Sequence, residues 1–170
     1  MKSIEIIPFE GVGKIKLGMT KEQVRAAIDS PASNIPAHNN SGIEFPESDY
    51  FLDSSIQVTY SPITGTVDWI GINDIAPFDV FYKDLNLFKS EVSEVVSFTE
   101  QFGALDNNAP ELGYSYSFPE LGLCYWRESI TENLINELEE AEDDEEREWM
   151  LEDIEKSKHF QQVSIFVRDY

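Results

Sequence analysis

The apolar positions of this chain fall into short alternating runs separated by turn-forming residues, with helical spacing at three places. Ile4, Ile6 and Phe9 predict an entry strand, and the stretch Lys14 to Leu17 alternates like a second. Thr20 follows as an N-cap with Gln23 three residues on, the spacing of a capping box. Met19 and Val24 occupy the two positions of a hydrophobic staple. Val24, Ala27 and Ile28 then give a short first helix its apolar face. Residues Ser30 to Pro46, with Pro31, Pro36 and Pro46 among Asn, Ser and Gly, read as a loop. Ile56, Val58 and Tyr60 alternate with Gln57 and Thr59 as a half-buried strand does. The run Val67 to Ile72 is apolar on both faces, which predicts a central strand.

A second helix is expected after Ser90 as its cap, with Val92, Val95, Val96 and Phe102 on one side and Gly103 as its stop. Tyr114 to Phe118 and Leu121 to Trp126 predict a hairpin around Pro119 and Glu120, and Val163 to Arg168 a last strand. Between them, Ser129 and Glu132 have capping-box spacing. Ile130, Leu134, Leu138 and Ala141 form a helical stripe that Met150, Leu151 and Ile154 resume. This is one long helix, or two separated near Asp143 and Asp144, lying against the body. Short links favour a single α+β domain over residues 1–170. Its plan is an antiparallel β-sheet with helices packed on one face and a long acidic helical insertion, 128–158, before the last strand.

Charge changes this picture most. Of a net −21, the segment Glu128 to Glu155 supplies −13, fourteen carboxylates against the single base Arg147. Hydrophobic residues make up 41% and aromatics 12% of the 170 positions, so the chain carries a proper core and is no disordered acidic tail. Such a balance repels phosphates, which argues against direct binding to nucleic acid or anionic membranes and favours a basic protein as partner. No stretch approaches the roughly 20 apolar residues of a membrane span. The N-terminal apolar stretch is too short for a signal peptide, so the expected location is the cytoplasm.

Catalytic and metal signatures are weak. Gly11, Gly13 and Gly18 lack the spacing of a phosphate loop. His38 and His159 have no partners at metal-ligand spacing, and Cys124 sits alone in an apolar run, where a core thiol is expected. The acid run lacks the order of a calcium loop. The chain is therefore read as a binder without cofactor or metal. The acid run is either a solvated face that keeps the protein soluble or a docking surface for a Lys/Arg-rich protein. Clustering favours docking by Glu137, Glu139, Glu140, Glu142, Asp143, Asp144, Glu145, Glu146, Glu148 and Trp149. Trp149 is an apolar anchor on that reading and a core residue on the other.

The pattern Gly13-x-Ile15-x-Leu17-Gly18-Met19-Thr20 with Val24 resembles the opening of the small α+β module of β-lactamase inhibitor proteins and SmpA/OmlA outer-membrane assembly lipoproteins. There a Gly-Met-Thr caps the first helix before an antiparallel sheet; no lipobox cysteine accompanies it here. The wider layout resembles immunity proteins of contact-dependent and polymorphic bacterial toxins. It is carried by the Pro8 to Gly13 start, the Leu85 to Phe88 lead into the second helix and the Phe118 to Trp126 hairpin. That resemblance implies a stoichiometric inhibitor of one cognate toxin C-terminal domain, often a basic nuclease. The alternatives are a non-enzymatic scaffold or adaptor whose acids serve solubility, or a small hydrolase working through cleft carboxylates.

Overall fold

The computed structural model describes residues 3–141 and 143–170. The first half of the chain runs β1 (Ser3–Ile7), β2 (Gly11–Val12), β3 (Ile15–Lys16), α1 (Lys21–Ala27), β4 (Ser33–Ile35), β5 (His38–Asn40), β6 (Ile43–Phe45) and β7 (Ser48–Phe51). It continues through β8 (Ile56–Tyr60), β9 (Val67–Asn73), β10 (Asp79–Tyr82), β11 (Leu85–Asn86) and α2 (Val92–Thr99). The last part is β12 (Ser115–Phe118), β13 (Leu123–Trp126), α3 (Thr131–Glu140), α4 (Asp144–Ser157) and β14 (Gln162–Phe166).

This is an α+β fold whose strands pair mostly antiparallel, with one departure from the expected single sheet. Seven strands order as β12-β13-β14-β9-β8-β7-β4, with β9 central as its two-sided apolar pattern requires. A second sheet, β11-β10-β1-β2-β3, contains the parallel pair β1 and β10. Pairing across more than seventy residues leaves no local mark on periodicity, and for that reason the split is invisible in the sequence. Each of α1 and α2 is entered from an edge strand of the small sheet, β3 or β11. Each is left into an edge strand of the large one, β4 or β12.

Register fixes the faces of the large sheet. Phe51, Ile56, Ile72, Val163 and Tyr125 form one cross-strand row, and Val58, Ile70, Ile165, Leu123 and Phe118 the next. All ten are buried, and Ile4, Ile6, Val12, Ile15 and Val80 of the small sheet join the same core. The opposite face carries Tyr50, Gln57, Trp69 and Cys124, all only partly buried. Cys124 thus lies between Ser117 and Ser164 on this partly open face rather than in the core.

Helix α1 forms as its sequence dictates. Thr20 accepts from the Gln23 amide, and the Gln23 side chain accepts from the Thr20 amide at 2.9 Å. The other expected caps are not used. Helix α2 starts from Glu91, and its Val92 amide donates to the Lys158 carbonyl at 2.8 Å, a tertiary partner that replaces Ser90. Helix α3 starts from Ile130 without a side-chain cap, so Ser129 and Glu132 make no capping box. The Ser30 to Pro46 stretch is not a plain loop either. It contains β4 and an exposed hairpin, β5–β6, turned through Ser41 (φ 53°) and Gly42 (φ 86°). The left-handed pair of central residues matches the right-handed twist of the strands it joins.

Candidate functional site: an acidic helical hairpin

The acidic segment folds as two helices, broken where Asp143 caps α4 by accepting from the Glu146 amide at 2.8 Å. It does not lie against the body along its length. Helix α3 has no buried residue, and α4 buries only Ile154 and Ser157. Helices α3 and α4 contact each other, with Leu134, Leu138 and Ala141 at helical spacing along the first arm and Met150 and Ile154 along the second. The sole base of the segment, Arg147, reaches back to the Ala141 carbonyl through Nη2 at 3.2 Å, at the negative end of the α3 dipole.

The foot of the hairpin is held by one residue that sequence reading passed over. Arg127, at the end of β13, is 6% exposed and donates Nε to the Gly113 carbonyl at 2.7 Å. Its Nη1 donates to Thr131 Oγ1 at 3.2 Å and to the Ser157 carbonyl at 3.1 Å, and Nη2 to the Tyr116 hydroxyl at 3.2 Å. One guanidinium therefore ties the start of α3 to the end of α4 and both to the sheet. Gln161 completes the foot, accepting from the Glu128 amide at 2.8 Å and donating to the Lys156 and His159 carbonyls. The only local hint was an Arg closing an apolar run.

Of the expected docking residues, Glu137, Glu139 and Glu140 occupy the last turns of α3. Asp143, Asp144, Glu145, Glu146, Glu148 and Trp149 lie at the start of α4. All nine are exposed; Glu142 lies outside the described residues. Acids in the first turn of α4 suit the positive end of its dipole, by about 0.3–1 kcal/mol each, whereas those ending α3 oppose the dipole there. Trp149 is 64% exposed, so it is an outward residue and not a core one. Helical spacing puts Glu145 and Glu146 one turn before it and Glu152 and Asp153 one turn after. The result is an exposed indole with carboxylates one turn to either side along its helix face.

Two other clusters have polar chemistry. Asp49 is fully buried beneath α1 and takes both prongs of Arg25 at 2.8 Å, the Asn34 amide at 2.7 Å and the Tyr60 hydroxyl at 3.0 Å. Burial pushes its carboxyl up, but those hydrogen bonds outweigh burial and hold it below the ordinary value. With each oxygen doubly engaged it is a structural pin. A groove of about 760 Å³ contains Asp74, Asp79 and His159. There Asp79 is bound by Lys89 at 2.7 Å and the His159 Nδ1 by the Ser90 carbonyl at 3.0 Å. Burial pushes the Cys124 thiol up to about 11, which leaves no thiolate nucleophile near neutral pH. Among the described residues no group of His, Cys, Asp and Glu is placed to hold a metal ion, and no helix is long and apolar enough to cross a membrane.

No family model, no curated protein and no solved structure matches this chain.

Proposed function

We propose that the protein is a binding protein of the stoichiometric-inhibitor class, with the α3–α4 hairpin as the element that engages a basic partner. Within that class it acts as an immunity protein, neutralising a cognate bacterial toxin domain of basic, nuclease type. The observation that carries this reading is the exposed Trp149, with carboxylates one turn to either side, on a hairpin clamped at its foot. A charge cluster that only served solubility needs neither a fixed direction nor an exposed indole. The hairpin charge steers encounter, and Trp149 supplies apolar anchoring once the complex has formed. The toxin-immunity resemblance in the Pro8 to Gly13 start and the Phe118 to Trp126 hairpin names the kind of partner.

The test is co-expression with the protein encoded by the neighbouring gene, followed by association kinetics at low and high salt. Changing Glu139, Glu142, Asp143, Glu145 and Glu146 to Gln or Asn is expected to slow association by roughly 10- to 100-fold at low salt and to flatten its salt dependence. Asn at position 143 retains the cap, so the helix persists. If the five-site variant binds and protects cells like the parent, acidic docking is wrong. Trp149→Ala is expected to leave association and folding unchanged while dissociation speeds by about 30-fold, the equivalent of roughly 2 kcal/mol at an interface centre. An unchanged dissociation rate removes Trp149 from the interface.

A further inference from the structure

A cleft of about 390 Å³ lies between the two sheets, where α1 ends. Its floor is Ile4, Val12 and Ile15 from the small sheet with Ile56 and Ile72 from the large one, all of them buried. Half-buried Ile28, Leu52 and Phe78 form its walls. The volume lies at the lower end of the roughly 300–1,000 Å³ of small-molecule sites, so it suits one compact apolar group rather than a polymer.

One wall is fixed by strained backbone. Leu52, Asp53 and Ser54 are three consecutive left-handed residues, at φ 50°, 53° and 67°, and none is glycine. Residues with a Cβ avoid this conformation, and a run of three persists only where its surroundings impose it. Here β9 imposes it. The Asn73 side chain donates to the Ser54 carbonyl at 2.8 Å, and the Asn73 amide donates to the Ser55 carbonyl at 2.9 Å. The turn is thereby anchored, and Leu52 is fixed at the cleft.

Charge at the cleft is balanced, unlike that of the chain. Against 33 acidic and 12 basic residues overall, its lining holds one of each sign, Lys14 and Asp29, among apolar residues and Gly13. Both are exposed, and among the described residues neither has an ion-pair or hydrogen-bond partner. They come from different elements. Lys14 sits in the turn between β2 and β3, and Asp29 follows the C-terminal end of α1, where the helix dipole adds to the attraction for a cation.

We propose that this cleft binds a free apolar α-amino acid as its zwitterion, independently of the hairpin's role. The side chain enters the cleft, the carboxylate meets Lys14, and the ammonium meets Asp29 beside the end of α1. An alkyl carboxylate answers Lys14 but sets its charge against Asp29, and an alkylamine does the reverse. A residue inside a peptide carries neither charge on its main chain, and a bare hydrocarbon leaves both rim groups unanswered. An α-amino acid carries the anion, the cation and the apolar group on one carbon atom.

The test is titration of the full chain with L-leucine, read from the isoleucine methyl resonances. The parallel titrants are 4-methylpentanoate and 3-methylbutylamine, which lack the ammonium and the carboxylate respectively. L-Leucine is expected to shift the methyls of Ile4, Ile28 and Ile56 and to leave Ile135 on α3 in place, with half-saturation at roughly 1 mM. Each analogue is expected to bind at least about fivefold more weakly. Lys14→Met and Asp29→Asn, both at exposed positions, each weaken leucine binding about threefold without lowering the melting temperature. Ala27→Leu fills the cleft from α1 with another good helix former and abolishes binding. No shift with leucine overturns the proposal, as do shifts confined to isoleucines outside the cleft. An analogue that binds as tightly as leucine overturns it too, and so does undiminished binding in Lys14→Met, Asp29→Asn or Ala27→Leu.

Discussion

Asp49→Ala is expected to lower the unfolding free energy by about 3 kcal/mol and the melting temperature by roughly 6–12 °C. The carboxylate joins α1, β4 and β8 at one point of β7, by way of Arg25, Asn34 and Tyr60. Removing it leaves the Tyr60 hydroxyl, on a residue 3% exposed, without its acceptor. Arg25 is 43% exposed in its side chain and regains water, which keeps the loss below that of a fully buried pair. Differential scanning calorimetry of the two proteins decides the matter. A shift within one degree would show that the network contributes nothing.

The same network sets a pH signature. Hydrogen bonds from Arg25, Asn34 and Tyr60 overcome the burial that pushes Asp49 upward and leave its folded pKa below the unfolded one. Its contribution is therefore complete above the unfolded value of about 3.9 and is lost as pH falls through the folded one. Glu47 is lowered likewise, chiefly by its hydrogen bond from Lys21. The stability gap between parent and Asp49→Asn is expected to be constant from neutral pH to about 5 and to narrow below about 4. A gap that widens on acidification would mean the sign is wrong.

What could be read from the sequence divides along physical lines. Local devices were legible. The Thr20–Gln23 box, the alternation of Ile56 to Tyr60, the two-sided apolar run of β9 and the turn at Pro119 all act within a few residues. The break at Asp143 was legible as one of two alternatives, because like charges three and four apart weaken a helix while an acid is a good cap. Tertiary substitutions were not legible. Ser90 and Ser129 fit cap patterns, yet the α2 amide finds Lys158 and the α3 start is held through Arg127. The β5–β6 hairpin escaped because β5 carries no apolar residue and the alternation of β6, Ile43-Glu44-Phe45, is only three residues long, though Asn40-Ser41-Gly42 is turn chemistry. The acids of the candidate site were evident from charge alone. Their outward direction depends on Arg127, and a lone Arg at the end of an apolar run does not announce four acceptors.

Arg127→Met is the change expected to separate hairpin from body. Methionine matches the aliphatic stem but strands the carbonyls of Gly113 and Ser157 and the Tyr116 hydroxyl, at a cost of about 2–4 kcal/mol. No carboxylate pairs with Arg127 among the described residues. Its charge is met by carbonyl dipoles, including the negative end of α4 at Ser157. Lysine does not rescue, because one ammonium on a flexible stem cannot serve acceptors spread around a planar fork. Hydrogen exchange gives the discriminating readout. Protection of α3 and α4 amides is expected to fall by at least about tenfold more than that of β9 and β14, since the hairpin buries little of its own and α3 has no residue in the core. Partner binding should weaken with it although every acid is still present, because a hairpin free to swing must be ordered at the moment of association. Were α3 and α4 to keep their protection in Arg127→Met, the hairpin would be held by its own packing, and the clamp would be incidental to how the charge is presented.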